Sequence, residues 1–201
     1  MISLRTGTSC ADLDNRPMAI EFHELGFASV YRVEVNPTFP ASGEWGLTEV
    51  RVGASSPDTL AIKVSPHEGH PWVGFFACDR RGLLVGVYAC PNPEDLVVVT
   101  GTEAYLVRVS RPHELNELPI HPITAAGRPE GTDVLVVGSF TELAAIDAVG
   151  LLWVTEGLFM DDLELAAGVP GFVYVQGSVR STPSDPELLT IDPATGELIG
   201  R

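Results

Sequence analysis

The clearest candidate for metal chemistry is a pair of histidines, His67 and His70, in the segment His-Glu-Gly-His. Two imidazoles three residues apart bind a divalent cation when a carboxylate or a thiolate completes the ligand set. Asp79 and Cys78 are near enough in the sequence to approach the pair across a hairpin. The pattern therefore makes His67, His70 and Asp79 candidate metal ligands. It is not the metalloprotease motif, which has two histidines four apart on a helix. The alternative interpretation, which we favour, is a polar hairpin loop framed by two prolines.

A second group of residues could perform acid–base chemistry. His113 and His121 flank Glu114 and Glu117, and an imidazole beside a carboxylate is the usual acid–base pair near neutral pH. The alternative interpretation, which we favour, is an exposed connector between two repeats.

Other signatures of catalysis are missing from the sequence. It has no Gly-x-Ser-x-Gly elbow, no phosphate-binding loop and no spaced cysteine cluster for zinc. The adjacent carboxylates of Asp161 and Asp162 could hold a cation, but in a strand they would point to opposite faces. We therefore assign no catalytic residue and expect no cofactor.

The charge of the chain limits its partners. The formal net charge is −15, and Arg80-Arg81 is the only arginine pair. Nucleic acids and anionic membrane surfaces both attract proteins with an excess of Lys and Arg, so we expect neither as a partner.

No apolar run reaches the length of a membrane span. The first residues lack the apolar segment of a signal peptide. We therefore expect a cytoplasmic protein.

Three cysteines, Cys10, Cys78 and Cys90, form an odd set without a close pair. The simplest interpretation is that they are reduced and partly buried thiols. A disulfide between Cys78 and Cys90 is the alternative.

A sequence motif that recurs along the chain indicates the secondary-structure elements that would position these residues. Short apolar runs begin at Asp58, Asp95, Asp133 and Gly171, with intervals of 37, 38 and 38 residues. Equal units of this length are typical of stacked or radial repeat folds, in which one unit cannot bury its apolar face alone. Earlier in the chain, strands are predicted over 28–35 and 48–52 from their alternating pattern.

The last two repeats predict paired strands joined by turns. Predicted strands cover 134–137, 143–147 and 151–155 in one repeat, and 172–175, 187–192 and 197–199 in the next. Asp147 and Asp192 precede glycines in the intervening segments, and this spacing is turn chemistry rather than catalysis. The three tryptophans and four tyrosines are predicted to pack in the core or at its edges. If several are exposed on one face, they would form a recognition patch.

An α+β fold is the rival prediction. Ser139-Phe-Thr-Glu142 has the spacing of a helix capping box. The segment 161–167 would be a helical stretch that ends at Gly168. The regular spacing and the repeated turn after Asp favour an all-β fold.

Two segments resemble the repeats of quinoprotein-type β-propellers, namely Ala145-Ile-Asp-Ala-Val-Gly-Leu-Leu-Trp153 and Leu189-Thr-Ile-Asp-Pro-Ala-Thr-Gly-Glu-Leu198. Residues 153–201 are also similar to part of small uncharacterised bacterial proteins that look like partial propellers. The resemblance covers residues 58–201 and implies the fold. It does not extend to a quinone cofactor or a dehydrogenase activity, because the chain has no adjacent cysteines and is too short.

These observations predict a single all-β domain over residues 1–201, a small or partial β-propeller of about four to five blades. Residues 1–57 form an irregular N-terminal part with the first strands, and residues 58–201 form the repeats. The predicted function is a non-catalytic interaction module that binds a protein partner or forms a homodimer through an open sheet edge. The alternatives are a metal-dependent enzyme using His67, His70 and Asp79, and a binder of a small ligand.

Overall fold

A computed structural model describes residues 20–53, 58–79, 83–155, 157–178 and 186–200. Within these ranges every regular element is a β-strand, and the strands form four small sheets. The prediction of an all-β fold is therefore confirmed. Among the described residues no helix could cross a lipid bilayer.

The four sheets follow one another along the chain, and their strands are numbered in chain order. The first sheet contains, in spatial order, β2 (Tyr31–Val35), β4 (Thr59–Pro66), β5 (Trp72–Ala77) and β3 (Thr48–Val52). The second contains β1 (Phe22–His23), β6 (Val85–Ala89), β7 (Asp95–Thr100), β8 (Ala104–Arg108) and β9 (Leu115–Glu117). The third contains β10 (Ala125–Gly127), β11 (Leu135–Gly138), β12 (Leu143–Ile146) and β13 (Leu151–Thr155). The fourth contains β14 (Asp161–Ala166), β15 (Val173–Ser178), β16 (Glu187–Ile191) and β17 (Leu198–Gly200).

Three apolar clusters hold the sheets together, one between each pair of neighbours. Cluster 1 lies between the first and second sheets, cluster 2 between the second and third, and cluster 3 between the third and fourth. In the described ranges no buried cluster joins the first sheet to the fourth. The sheets therefore form an open series, which is the arrangement of a partial β-propeller.

The alternation of side chains explains how one strand serves two clusters. All six residues of β7 are buried. Leu96 and Val98 point into cluster 1, whereas Val97 and Val99 point into cluster 2. Successive side chains of a strand face opposite sides of its sheet, so a continuous apolar run fits a strand that is covered on both faces.

The repeat spacing corresponds to equivalent strands. The repeated motifs that begin at Asp58, Asp95, Asp133 and Gly171 correspond to strands β4, β7, β11 and β15. Each of these is the second strand of its sheet, if β1 is set aside in the second sheet. The period is therefore the number of residues between equivalent strands of successive sheets. Its four copies correspond to the four sheets. That the whole chain is one domain stays a prediction, since residues 1–19 lie outside the described ranges.

The rival α+β prediction is wrong at both of the segments that suggested it. The Ser139 hydroxyl accepts hydrogen bonds from the amides of Thr141 (3.2 Å) and Glu142 (3.0 Å), so it closes the turn between β11 and β12 instead of capping a helix. Residues 161–166 form β14. A Ser side chain that bonds nearby amides stabilises tight turns as well as helix starts, so the motif alone does not separate the two.

The turns predicted after Asp147 and Asp192 are confirmed. Asp147 Oδ1 accepts hydrogen bonds from the amides of Val149 (2.7 Å) and Gly150 (3.0 Å). Asp192 Oδ1 accepts from the amides of Ala194 (2.7 Å) and Thr195 (3.2 Å). Both aspartates thus satisfy backbone donors in a turn.

Hydrogen bonds from buried aromatic side chains connect neighbouring sheets. The Trp72 indole N–H donates to the Val109 carbonyl (3.0 Å), and the Tyr31 hydroxyl donates to the Asp95 carbonyl (2.7 Å); both bonds join the first sheet to the second. The Trp153 indole N–H donates to the Pro193 carbonyl (2.9 Å) between the third and fourth sheets. Most of the tryptophans and tyrosines are buried, as predicted: Tyr31, Trp72, Tyr88, Tyr105 and Trp153.

Cys78 and Cys90 are buried as thiols, and they pack into clusters 1 and 2 respectively. The alternative of a disulfide between them is therefore wrong. The third cysteine, Cys10, lies outside the described residues.

We expect the protein to lose stability above about pH 10, where tyrosine side chains of the unfolded chain ionise. Burial raises the pKa of Tyr88 from 10.0 to about 12. Burial is also the main cause that raises the pKa values of Tyr31 and Tyr105. Because the pKa is raised, the tyrosine hydroxyl stays protonated in the folded chain at pH values at which it ionises in the unfolded chain. For Tyr88 the stabilisation is thus complete below about pH 10. It is lost as the pH rises towards 12, at about 1.4 kcal/mol for each tenfold fall in proton concentration.

Urea unfolding at about pH 8 and about pH 11 measures this effect. The Tyr88→Phe variant is the control, because it removes one ionisable hydroxyl and leaves the ring. The difference in unfolding free energy between the two pH values should be smaller in the variant by about 1 kcal/mol. Equal differences in the two proteins would contradict the assignment to Tyr88.

Candidate functional site

The residues of the predicted metal site lie at opposite ends of one strand. His67 and His70 are exposed in the loop between β4 and β5, whereas Asp79 follows the far end of β5. The six residues of β5 span about 20 Å at roughly 3.3 Å per residue. The amide of Asp79 donates to the Thr100 carbonyl (2.9 Å), beside the second sheet. The structure therefore does not bring His67, His70 and Asp79 together. In the described part of the chain no group of three or more His, Cys, Asp or Glu side chains is placed to hold a metal ion.

His67 instead lines a small cleft between the first and second sheets. Its amide donates to the Val30 carbonyl (2.8 Å). The cleft has a volume of about 390 Å³, and the side chains of Glu68, Glu94 and Ser110 also line it. A single exposed imidazole beside two carboxylates can accept or donate hydrogen bonds, but this set contains no activated nucleophile. Elsewhere, burial raises the pKa of the Cys90 thiol, which keeps it protonated and unreactive at neutral pH.

The residues of the candidate acid–base group lie in and around β9. His113 and Glu114 lie between β8 and β9, Glu117 lies in β9, and His121 lies between β9 and β10. His113, Glu114, Glu117 and His121 are all exposed. Glu114 forms an ion pair with Arg111 (3.4 Å). The exposure agrees with the favoured interpretation, but the segment is not only a connector between repeats, because it contains β9, which pairs with β8 in the second sheet.

Asp161 and Asp162 begin β14, and both are exposed. The Asp162 amide donates to Asp161 Oδ1 (2.9 Å), and Asp162 has a φ of 58°. The pairing of β14 with β15 is irregular at this point. The Asp161 carboxylate is therefore used locally, in a bulge at the start of the strand.

A groove that the sequence did not predict lies between the second and third sheets. Its volume is about 610 Å³. One wall follows β9, and the other is the β12–β13 turn. Leu106 contributes to the floor, and the exposed side chains of Val149 and Leu151 form the opposite wall.

An ion pair that is half buried lies in the same groove. Arg108 Nε and Nη2 donate to the two carboxylate oxygens of Asp95 (2.8 and 3.1 Å). The Asp95 side chain is 5% exposed and that of Arg108 is 42% exposed. The repeat pattern identifies Asp95 only as the start of a unit. The pair was predictable in principle, because a hairpin that turns near Gly101 places residue 95 opposite residue 108.

The two ends of the series of sheets have different outer faces. The outer face of the first sheet carries ion pairs between Lys63 and Glu34 (3.6 Å) and between Arg51 and Glu49 (2.9 Å). The Arg51 guanidinium also covers the Phe75 ring, at 4.4 Å from its centroid. Charged side chains thus cover this end of the molecule.

The outer face of the fourth sheet carries exposed apolar side chains among polar ones. Val173, Val175, Leu189 and Ile191 point into cluster 3, so the residues between them point outwards. We call this surface the fourth-sheet face. It consists of Glu164, Ala166, Tyr174, Gln176, Leu188 and Thr190, and we include the exposed Phe172, which immediately precedes β15. Phe172 and Leu188 are 38% and 47% exposed, and no described element packs on them.

Comparisons with known proteins add little to these observations. No protein-family model matches the chain, and no curated protein matches it. Among solved structures, AztD from Citrobacter koseri is similar over 77% of this chain and 46% of its own, with 13% identity and a TM-score of 0.42. Its apo form gives 14% identity, the same coverage and a TM-score of 0.40. The N-terminal domain of Nup159 is similar over 90% of this chain and 52% of its own, with 12% identity and a TM-score of 0.40. The chain thus spans about half the length of these structures.

Proposed function

We propose that this protein is a non-catalytic interaction module, and that the fourth-sheet face is its docking surface for a basic protein partner. The observation that carries the proposal is the uncovered outer side of the fourth sheet. The second and third sheets bury both of their faces in clusters, whereas the fourth, in the described part of the chain, buries only one. Exposed apolar side chains that share one face are typical of surfaces that bind other proteins.

The composition of this face supports a protein partner. Phe172, Tyr174 and Leu188 supply apolar and aromatic area, and Glu164 and Gln176 supply hydrogen-bonding groups that already bond each other (3.1 Å). Aromatic side chains with a polar rim are enriched at protein interfaces. The charged outer face of the first sheet has a different composition.

The distribution of charge supports a basic partner. Residues 129–201 contain 12 Asp and Glu but only two Arg and no Lys. This segment of the sequence, which includes all strands of the third and fourth sheets except β10, therefore carries most of the net charge of −15. A negative surface steers a positive one towards it and repels a second copy of itself. Charge thus favours a different, basic protein over the homodimer that we also predicted.

Affinity capture with matched variants tests the proposal. Phe172→Glu and Leu188→Glu place a charge on the fourth-sheet face, whereas Phe39→Glu changes an exposed phenylalanine in the loop between β2 and β3. A protein that the wild type captures is identified and purified, and its affinity for each variant is measured by calorimetry. We expect a basic protein whose binding weakens by about tenfold or more in the first two variants only, as for other central interface residues.

Two results would overturn the proposal. One is a captured partner that binds all variants equally. The other is a wild type that sediments as a dimer and becomes monomeric in Leu188→Glu, because the fourth-sheet face would then belong to a second copy of the chain. Catalytic turnover that a point mutation abolishes would overturn the non-catalytic assignment.

A further inference from the structure

We infer that the groove between the second and third sheets is a separate site, which binds an extended peptide of alternating apolar and basic residues as an added strand on β9. Peptides that extend an open sheet edge obtain affinity from main-chain hydrogen bonds and specificity from alternate side chains. The fourth-sheet face is not involved, so this site can exist whether or not that face binds a partner.

The groove runs along the open edge of β9. Five consecutive residues of this segment, 114–118, line it. β9 is the last strand of the second sheet, so its outer edge has no strand partner among the described residues. The groove therefore lies beside the edge at which an incoming strand would pair.

The backbone of β9 presents hydrogen-bonding groups to this groove. The amide of Leu118 donates to the Ala104 carbonyl of β8 (2.8 Å). In an antiparallel pair such bonds recur at every second residue, so Asn116, which lies opposite Leu106, also bonds β8. The N–H and C=O groups of Leu115 and Glu117 therefore point away from β8, towards the groove. These are the groups that an added strand would bond.

One face of the added strand would meet apolar side chains. Leu106 belongs to cluster 2, on the side of the third sheet. On the opposite wall, Val149 is 91% exposed and Leu151 is 45% exposed. Between these walls, Asp95 holds the Arg108 guanidinium through Nε and Nη2, so Nη1 can donate to a carbonyl of the ligand. Apolar residues of a peptide would remove Val149 and Leu151 from water, whereas Leu106 is already buried.

The other face of the added strand would meet carboxylates. Glu117 lies opposite Tyr105 in the pairing of β8 with β9. The Tyr105 hydroxyl donates to the carboxylate of Glu103 on the same side. Two acidic side chains on this face, in a chain with a net charge of −15, favour Lys or Arg at the peptide positions beside them.

Binding of a labelled peptide of alternating Val and Lys residues tests the inference. Fluorescence anisotropy should show saturable binding to the wild type, and hydrogen exchange should show new protection of the Leu115 and Glu117 amides. A peptide of alternating Val and Glu residues, of equal length, should bind at least about tenfold more weakly. No binding of the Val–Lys peptide, equal binding of both peptides, or protection elsewhere in the chain would overturn the inference.

Two pairs of variants locate the contact. Glu117→Pro removes an outward N–H without breaking the bonds of β9 to β8, and Glu117→Gln removes only the charge. We expect the proline variant to weaken binding by about tenfold and the glutamine variant by about threefold. Val149→Glu should also weaken binding by about tenfold, whereas Val169→Glu, an exposed valine on the loop before β15, should not. Because Val149 is on an exposed turn, its variant tests the site even if the proline variant fails to fold. Equal affinity in Val149→Glu and Val169→Glu would refute the site.

Discussion

We expect the Gly101→Ala variant to lose about 4 kcal/mol of unfolding free energy, or to fail to fold. Gly101 is buried in the turn between β7 and β8 and has a φ of +95°. A Cβ atom at this position would lie 2.2 Å from the Asp79 carbonyl oxygen, which is backbone and cannot rotate away. Its own carbonyl accepts a hydrogen bond from the Ile123 amide (2.7 Å). Any shift of this turn therefore disturbs segments that lead from the first sheet and into the third.

Gly69→Ala is the matched control for this experiment. Gly69 also has a positive φ (+108°), but it lies in the exposed β4–β5 loop and no described atom is within 4 Å of its Cβ position. We expect it to cost only the backbone strain, about 1 kcal/mol. Urea unfolding of both variants measures the difference. Similar losses in the two variants would mean that the close approach to Asp79 contributes nothing.

A second large loss, of about 4 to 5 kcal/mol, is expected for Trp72→Ala. The Trp72 side chain is fully enclosed in cluster 1, where its residue is 2% exposed. Truncation would leave a cavity between the first and second sheets and a Val109 carbonyl without its indole donor. Trp72→Phe keeps most of the ring and loses the hydrogen bond, so it should cost about 2 kcal/mol.

Trp45→Ala provides the comparison for Trp72. Trp45 is partly exposed in the loop between β2 and β3, where it packs edge-on against Phe39 (5.6 Å between centroids). Its indole N–H has no hydrogen-bond partner among the described residues. We expect a loss of about 1 kcal/mol or less. If the losses measured by urea unfolding for Trp72→Ala and Trp45→Ala were equal, cluster 1 would not hold the two sheets together.

The local parts of the fold can be predicted from the sequence because their causes are local. The strand predicted over 48–52 has the observed limits, and Val50 and Val52 share its inner face. Turns after Asp147 and Asp192 depend only on the next few residues. The pairing partners of a strand cannot be predicted in this way, because they depend on segments that are distant in the sequence. No local pattern indicates that β3 pairs in parallel with β5, at the far edge from β2.

The candidate surfaces could not be predicted for the same reason. The groove joins β9 to the β12–β13 turn, and these segments are neighbours only because the second and third sheets pack together. The run from Phe172 to Gln176 shows apolar residues on both faces of a strand, a pattern that usually indicates cover on both sides. Only the position of the fourth sheet at the end of the series shows that one side has no neighbour among the described elements. The hypothesis of a site at His67, His70 and Asp79 relied on closeness in sequence, and a strand separates the ends of that segment.

Because the three clusters follow one another along the series of sheets, local unfolding of one strand affects only the clusters to which that strand contributes. A local opening of β17 or β16 weakens cluster 3 alone, whereas a change in β7 affects clusters 1 and 2 at once. Cooperativity between neighbouring sheets is then strongest for the second and third sheets and weakest for the first and fourth, as in one-dimensional repeat arrays. Fraying should therefore start from the outermost blades, and β7, β11 and β12, which each contribute to two clusters, should exchange their amide protons last.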